Sequence, residues 1–166
     1  MNDVTLAMVR EQIRQDEGLR FEPYRCPAGK LTIGIGRNLE DRGISEDEAM
    51  MLFNNDINKV LADLAKYLPW HNKLPDAAQG VLLNMVFNLG IGGLLKFTKT
   101  LKAFEREDWE TAAAEMLDSL WARQVPDRAR RLARIVKWLG RHAKEIKGIE
   151  QQIAGLESKK RALLEK

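Results

Sequence analysis

The sequence is poor in cysteine and histidine, the residues that build disulfide scaffolds and most structural zinc sites. Its single cysteine, Cys26, cannot form an internal disulfide, and the two histidines, His71 and His142, cannot complete a Cys/His zinc site. We therefore expect neither a disulfide scaffold nor a zinc module, and no bound metal or cofactor. An apolar core has to stabilise the chain by itself.

Long apolar runs are also absent. No window approaches the ~18 consecutive apolar residues of a membrane span. Charged residues interrupt the first 18 positions, where a signal peptide needs an apolar stretch. We therefore expect the chain by itself to stay in the cytoplasm, without stable membrane insertion. A length of 166 residues with 45% hydrophobic residues fits one folded domain or one two-lobed unit.

The net charge of +3 is unevenly distributed along the chain. Residues 121–166 contain 13 Lys and Arg against 5 Asp and Glu, whereas residues 1–120 contain 14 against 19. A basic C-terminal part suits nucleic acid, an anionic membrane or an anionic cell-wall polymer as a partner. Charge alone does not choose among the three.

The apolar periodicity predicts a chain that is mainly helical. Residues 3–17 form the first helix, which ends at Glu17 because Gly18 follows as a stop residue. A capping box of Ser45 and Glu48 starts a long helix that runs to about residue 66. Further helices are expected before a turn at Gly90–Gly93, and over 97–106, 108–120 and 126–139.

The segment after residue 140 has a coiled-coil-like pattern. Its apolar residues alternate at spacings of three and four, with Lys160 interrupting the line. They are Ile146, Ile149, Ile153, Leu156 and Leu163. The segment either packs on the domain or pairs with another helix.

Two short β-prone runs, RFEPYR and KLTIGIG, flank Cys26-Pro27-Ala28-Gly29 and predict a hairpin. Strand alternation places Leu31, Ile33 and Ile35 on a core face, and leaves Thr32 with two glycines on the other. Two glycines on one face indicate that a ligand or another backbone approaches closely. Cys26 is expected beside the turn, near Thr32.

Glu17 directly precedes this hairpin. A carboxyl group at the C-terminal end of a helix meets the negative end of the helix dipole, which suits a proton donor. Most helical glutamates are nevertheless solvated surface residues, and a lone cysteine such as Cys26 is most often a small buried hydrophobe.

The residues around the hairpin resemble the catalytic segment of phage-type lysozymes, glycoside hydrolase family 24. The family triad is a glutamate, eight residues, an aspartate or in some members a cysteine, five residues, then a threonine. Glu17, Cys26 and Thr32 have this spacing. Four further segments match in the same order: Arg42-Gly43-Ile44-Ser45, Asn84 to Gly90, Phe97-Thr98, and Trp121 to Arg131.

The resemblance implies an α+β fold, mainly α, with two lobes. It assigns residues 1–140 to a lysozyme domain and leaves 141–166 as a helical extension, natural or appended. Within that domain it implies a small hairpin lobe at about 18–45, a linking helix at about 46–66, and a helical lobe at about 67–140 that includes the first helix.

The resemblance also implies the activity and the site. The chain would hydrolyse the β-1,4 bond between N-acetylmuramic acid and N-acetylglucosamine in peptidoglycan and lyse the host, acting on the periplasmic cell wall after release. Glu17 would be the proton donor, and Cys26 and Thr32 would hold the attacking water. Substrate-binding residues would be Phe87, Asn88, Gln124 and Arg128, with Arg128 also pairing with Glu17.

Cysteine in place of aspartate leaves three interpretations of Cys26 open. It is a partly ionised base, or it guides the water sterically, or it indicates that the 6-hydroxyl of the sugar attacks in place of water, as in lytic transglycosylases. Two other readings compete with the enzyme. One is a nucleic-acid-binding module, which the motif matches argue against, and the other is a lysozyme-like carrier that presents the C-terminal helix for helix pairing.

Overall fold

The computed structural model describes residues 2–164, apart from the side chains of Lys144, Ile146 and Lys147. The elements in these residues are α1 (Asp3–Glu17), β1 (Arg20–Arg25), β2 (Leu31–Gly34), β3 (Arg37–Asn38), α2 (Glu46–Tyr67), a 3-10 helix (Pro69–Lys73), α3 (Asp76–Leu89), α4 (Ile91–Leu94), α5 (Thr98–Glu105), α6 (Trp109–Leu117), α7 (Leu120–Gln124) and α8 (Pro126–Leu164). The chain is α+β and mainly α, as the sequence predicts. It divides into two compact units, residues 1–54 and 55–166.

The first unit consists of α1, the sheet and the start of α2. Asn2 caps α1 by accepting a hydrogen bond from the Thr5 N–H at 2.9 Å. Gly18 ends the helix with φ at 71°, and its N–H donates to the Arg14 carbonyl at 3.0 Å. A positive φ is a conformation that glycine adopts without steric cost. The expected bounds of this helix, 3–17, are confirmed.

The sheet is antiparallel with the strand order β1-β2-β3. Tyr24 on β1 and Asn38 on β3 both face Thr32 across the ladders, so β2 is the central strand. The hairpin is confirmed, but β3 was not expected. Its pairing follows from a reversal of the chain at Gly34 and Gly36, whose φ angles are 67° and 69°.

The expected core face of β2 is wrong. Thr32 is the buried residue at 4% exposure, whereas Leu31 and Ile33 are only partly buried. Ile35 is exposed because β2 ends at Gly34 and Ile35 lies in the turn that follows. Thr32 pairs with a neighbouring strand on each side, which accounts for its low exposure.

The second unit contains the apolar core, which α3 to α7 and the first part of α8 build together with the last turns of α2. Its fully buried large side chains are Leu64, Val81, Leu82, Met85, Val86, Leu94, Phe104, Met116, Val136 and Leu139, beside the polar Thr100. The rings of Phe104 and Trp109 meet edge to face, with centroids 5.8 Å apart. Such a pairing adds to the burial that stabilises the core.

Two expectations are corrected in this unit, the end of one helix and the structure of one turn. The helix expected over 108–120 starts after the Asp108 cap, which accepts from the Thr111 N–H at 3.2 Å, but it ends at Leu117. Ser119 then caps α7 by accepting from the Ala122 N–H at 3.0 Å. A hydroxyl that caps a new helix start explains the break. The Gly90–Gly93 turn also contains the short helix α4.

The apolar face predicted for α2 is only partly buried. Val60 and Leu64 belong to the core of the second unit, but Leu52, Phe53 and Leu61 are exposed. The capping box itself is confirmed: the Glu48 carboxylate accepts from the Ser45 N–H at 2.7 Å, and the Ser45 hydroxyl accepts from the Glu48 N–H at 3.3 Å.

The helix expected over 126–139 has no boundary near residue 140. It continues as α8 for 39 residues, to Leu164. Ile149, Ile153, Leu156 and Leu163 are exposed, and the side chain of Ile146 lies outside the described residues. Within residues 2–164, none of the helices is both long and apolar enough to cross a bilayer.

Candidate active site

Glu17 lies at the last position of α1, with its side chain exposed. Its carboxyl group is close to the turn between β2 and β3. A Cβ atom placed on Gly36 would lie 2.8 Å from Oε2 and 3.2 Å from Cδ of Glu17. This carboxyl group therefore occupies the space that any other residue at position 36 would fill.

The two glycines of this turn differ in what surrounds them. Gly34 and Gly36 both have a positive φ, but a Cβ on Gly34 would meet no atom within 4 Å. The sequence predicts that a ligand or another backbone approaches the glycine-bearing face of the hairpin, but the group that lies against Gly36 is the Glu17 side chain. This contact limits the positions that the Glu17 carboxyl group can adopt.

Cys26 begins the turn of the hairpin. Its carbonyl accepts from the Gly29 N–H at 2.8 Å, and its own N–H donates to the Lys30 carbonyl at 3.0 Å. The pKa of the Cys26 thiol is lowered, chiefly by the backbone N–H of Lys30 and then by that of Ala28 and the hydroxyl of Thr32, against an opposing effect of desolvation. Donors that point at a sulfur stabilise its thiolate, so a larger fraction of this cysteine is ionised at a given pH than of an ordinary thiol.

Thr32 has a single hydroxyl proton and two acceptors for it. In the structure the hydroxyl donates to the Lys30 carbonyl at 3.0 Å, and it also contributes to the lowered pKa of Cys26. Rotation about one bond moves the proton between the two, so the hydroxyl can donate to a thiolate or accept from a thiol. The structure thus brings Cys26 and Thr32 together, as the sequence predicts.

Charged side chains hold this turn from outside. Arg25 donates to the Gly29 carbonyl at 2.7 Å and to Glu40 at 3.2 Å, and Lys30 pairs with Asp41 at 2.8 Å. The Asp41 hydrogen bond raises the pKa of Lys30, so Lys30 stays a cation near the sulfur. These acidic partners were not found from sequence because they lie 11 to 15 residues away on a separate turn.

A second link fixes the turn that carries Gly36. Arg37 forms an ion pair with Glu48 and donates to the Gly43 carbonyl at 3.2 Å. Because the other carboxylate oxygen of Glu48 belongs to the capping box, one side chain joins the sheet to the start of α2. The capping box was readable from the sequence; the arginine that shares its carboxylate was not.

The four substrate-binding residues predicted from the family all lie in the second unit. The Asn88 side chain accepts a hydrogen bond from the Trp121 indole N–H at 2.7 Å, while Phe87 is 42% exposed and lines a depression with Asp56, Lys59 and Asp63. Gln124 ends α7 and lines a groove with Ser119, and Arg128 is half-buried in the first turn of α8. Their contact with substrate stays a prediction, as does the pairing of Arg128 with Glu17.

The site shows no arrangement suited to a metal. Within the part of the chain that the structure describes, no three His, Cys, Asp or Glu side chains are grouped as metal ligands. The groups that the first unit offers are a carboxyl group, a thiol with a lowered pKa, and a hydroxyl. This set can donate a proton and can orient a water molecule, which is the chemistry of a glycosidase.

Comparison with known proteins decides the family. The family model for phage lysozyme matches residues 14–145, which include Glu17, Cys26 and Thr32. The chain belongs to the phage lysozyme family. Family membership and the names of its relatives support a glycosidase of the peptidoglycan-hydrolase class, in agreement with the motif.

Three relatives show how widely this family domain is used. The chain is 32% identical to the "Pre-baseplate central spike protein Gp5" of Enterobacteria phage T4 over 76% of its length, but it covers only 27% of that protein. It is 26% identical to "Probable T4-type lysozyme 1" of Dictyostelium discoideum, covering 80% of this chain and 95% of that one. It is 32% identical to the "Endolysin" of Acyrthosiphon pisum secondary endosymbiont phage 1, over 63% of this chain and 72% of that one.

Proposed function

We propose that this chain is an endolysin-type muramidase that hydrolyses the β-1,4 bond between N-acetylmuramic acid and N-acetylglucosamine of bacterial peptidoglycan. One observation carries the proposal. A carboxyl group lies against Gly36, and the same unit contains a thiol with a lowered pKa beside a hydroxyl, all at the triad spacing of the family.

In this proposal Glu17 protonates the glycosidic oxygen as the bond breaks. A water molecule held by Cys26 and Thr32 attacks the sugar from the opposite face, and the thiolate accepts its proton through the hydroxyl or directly. An inverting reaction of this kind needs a separation of ~6.5 to 9.5 Å between acid and base groups, to leave room for the water. Phe87, Asn88, Gln124 and Arg128 would bind the glycan.

The lowered pKa of Cys26 favours one of its three roles. A thiol with an ordinary pKa is mostly protonated at neutral pH and accepts protons poorly, whereas donors around the sulfur increase the thiolate fraction. This supports hydrolysis with Cys26 as a partly ionised base. A lytic transglycosylase needs no second base, since the carboxylate that has protonated the leaving oxygen can accept the proton of the attacking 6-hydroxyl.

The proposal extends to the biology of the chain. The enzyme would remain in the host cytoplasm until release and then reach the periplasmic cell wall, causing lysis. We also propose residues 1–140 as the lysozyme domain and 141–166 as an extension, an assignment supported by the end of the family match at residue 145.

Mass spectrometry of digested peptidoglycan tests the reaction. Hydrolysis leaves reducing muramic acid ends, and transglycosylation leaves anhydro ends that lack one water. We expect reducing ends from the unmodified chain and from Cys26→Asp, which restores the carboxylate of the other family form. Anhydro ends would contradict hydrolysis and assign the chain to the lytic transglycosylases. No cleavage by either protein would support the carrier alternative.

A further inference from the structure

The outward side of α8 forms one continuous line of exposed residues, here called the outer face. Its members follow at spacings of three or four and so lie on one side of the helix. They are Arg131, Arg134, Trp138, Arg141, Glu145, Ile149, Ile153, Leu156, Lys160 and Leu163. The half nearest the core is basic with one tryptophan, and the far half is apolar with one lysine.

The outer face does not continue the side of α8 that packs into the core. Leu132, Val136 and Leu139 are buried, and at ~100° per residue they lie roughly 120° around the helix axis from Ile149 and Leu156. The apolar half is also well exposed, with Leu156 at 65% and Leu163 at 73%. The elements that pack on the buried side of the first turns of α8 therefore do not cover the outer face.

Among the side chains that the structure describes, which leave out Lys144 and Lys147, the cations of the outer face form no ion pair. The one ion pair of α8 between described side chains joins Arg130 and Asp127 at 2.7 Å. Arg134 and Arg141 line a shallow depression of about 260 Å³ with Lys137 and Glu110, without pairing with that glutamate. The basic half of the outer face thus offers several unpaired cations. The acidic residue of the outer face is Glu145.

A partner for this face must supply anions and apolar cover together. Nucleic acid and phosphate-rich wall polymers neutralise the arginines, but they leave Ile149, Ile153 and Leu156 in water. A second copy covers the isoleucines, yet a parallel pair places Arg134 opposite Arg134, and an antiparallel pair that overlaps the apolar halves leaves the arginines outside the contact. Neither arrangement supplies the arginines with anions.

An anionic lipid surface meets both needs. Its phosphates attract arginine and lysine, while the interface beneath them accepts isoleucine, leucine and tryptophan side chains. We propose that the outer face of α8 lies on anionic phospholipid membranes, parallel to the surface and without spanning it. The apolar half enters the interface, and the basic half binds the headgroups.

Flotation of the full chain with vesicles tests this. We expect it to float with vesicles containing phosphatidylglycerol, and to bind vesicles of phosphatidylcholine alone at least about tenfold more weakly, since each basic residue near an anionic surface adds to binding. Trp138 reports the contact, because it is 45% exposed while Trp109 and Trp121 are each 4% exposed. Acrylamide quenching of fluorescence should fall on binding, and Trp138→Phe should remove most of that change.

Leu156→Asp and Ser158→Asp form a matched pair. Both add one negative charge to exposed positions of the same helical turn, but Ser158 faces away from the outer face. We expect Leu156→Asp to weaken vesicle binding at least about tenfold, because it removes a large apolar side chain from the interface. Ser158→Asp should weaken it no more than about threefold, since its charge lies about a Debye length away. Circular dichroism checks that both variants remain helical.

Three results would overturn the proposal. The first is equal binding of the two aspartate variants, and the second is no binding to phosphatidylglycerol vesicles. The third is a concentration-dependent dimer that Leu156→Asp dissociates, which would assign the face to a second copy. The vesicles contain no peptidoglycan, so failure here is distinct from failure of the muramidase proposal.

Discussion

Residues 2–54 and residues 55–164 differ most in what they bury. Thr32 is the one buried residue among residues 2–54, whereas the second stretch contains the whole apolar core. The first unit is instead organised by ion pairs, by turn glycines and by the capping box at Ser45. The proposed proton donor and the proposed water-holding pair both lie in this weakly buried unit, so chemistry and core stability reside in different parts of the chain.

The largest expected effect is on catalysis in the first unit. Glu17→Gln should lower peptidoglycan hydrolysis by ~10² to 10⁴-fold, the usual contribution of a general acid, while leaving the Tm almost unchanged because the side chain is exposed. Turbidity loss of a peptidoglycan suspension and a thermal melt measure the two. Glu22→Gln, an exposed glutamate on β1, is the control, and equal losses in both variants would contradict the assignment.

The largest effect on stability is expected in the second unit. Phe104→Ala should lower the free energy of unfolding by ~3 to 5 kcal/mol, because the ring is fully buried and its removal leaves a cavity. Phe21→Ala makes the same change at a residue that is 85% exposed, and should stay within ~0.5 kcal/mol. Urea denaturation compares them. A similar loss for both would remove the contrast between the units.

Gly36→Ala and Gly34→Ala separate backbone strain from the position of Glu17. Both substitutions put a side chain at a positive φ, at a cost of ~1 to 3 kcal/mol, but only the Cβ at position 36 meets the Glu17 carboxyl group. We therefore expect kcat to fall about tenfold further for Gly36→Ala, as displaced catalytic groups lose much of their effect. Equal kcat values in the two variants would show that strain alone is responsible.

Glu48 tests how the first unit is held together. Its pKa is lowered from the usual 4.5, chiefly by the Ser45 N–H and then by the Ser45 hydroxyl and Arg37. A lowered folded-state pKa means that the stabilisation is complete above the usual value and is lost as the pH falls through the folded value. Glu48→Gln should therefore lower the Tm at pH 7 and have little effect at acid pH, with Glu46→Gln as the control. A deficit that persists unchanged in acid would contradict this.

The smallest expected effect concerns the reactivity of Cys26. Because its pKa is lowered, the rate of alkylation by iodoacetamide should rise at a lower pH than for a free thiol. Thr32→Val should move the profile slightly upward, since one of several donors is lost. An unchanged profile in that variant would mean that the backbone N–H groups act alone.

Local patterns in the sequence were sufficient for several elements. The bounds of α1, the cap at Asp108 and the Ser45–Glu48 capping box follow from signals within about four residues, and the structure confirms them. The triad spacing and the family were also readable. The core face of β2 was not, because β3 pairs with it through a reversal at Gly34 and Gly36 that alternation does not reveal.

The sequence by itself determined the helical composition, the hairpin and the residue types of the site, because hydrophobic period, caps and turn residues act over short distances along the chain. Only the tertiary structure decided that the Glu17 carboxyl group lies against Gly36, that Arg37 shares the Glu48 carboxylate, and that the apolar line of the C-terminal half of α8 continues the outward side of that helix rather than its buried side. These three features depend on which segments, distant in sequence, contact one another in the folded chain. The local pattern of each segment is compatible with more than one such contact.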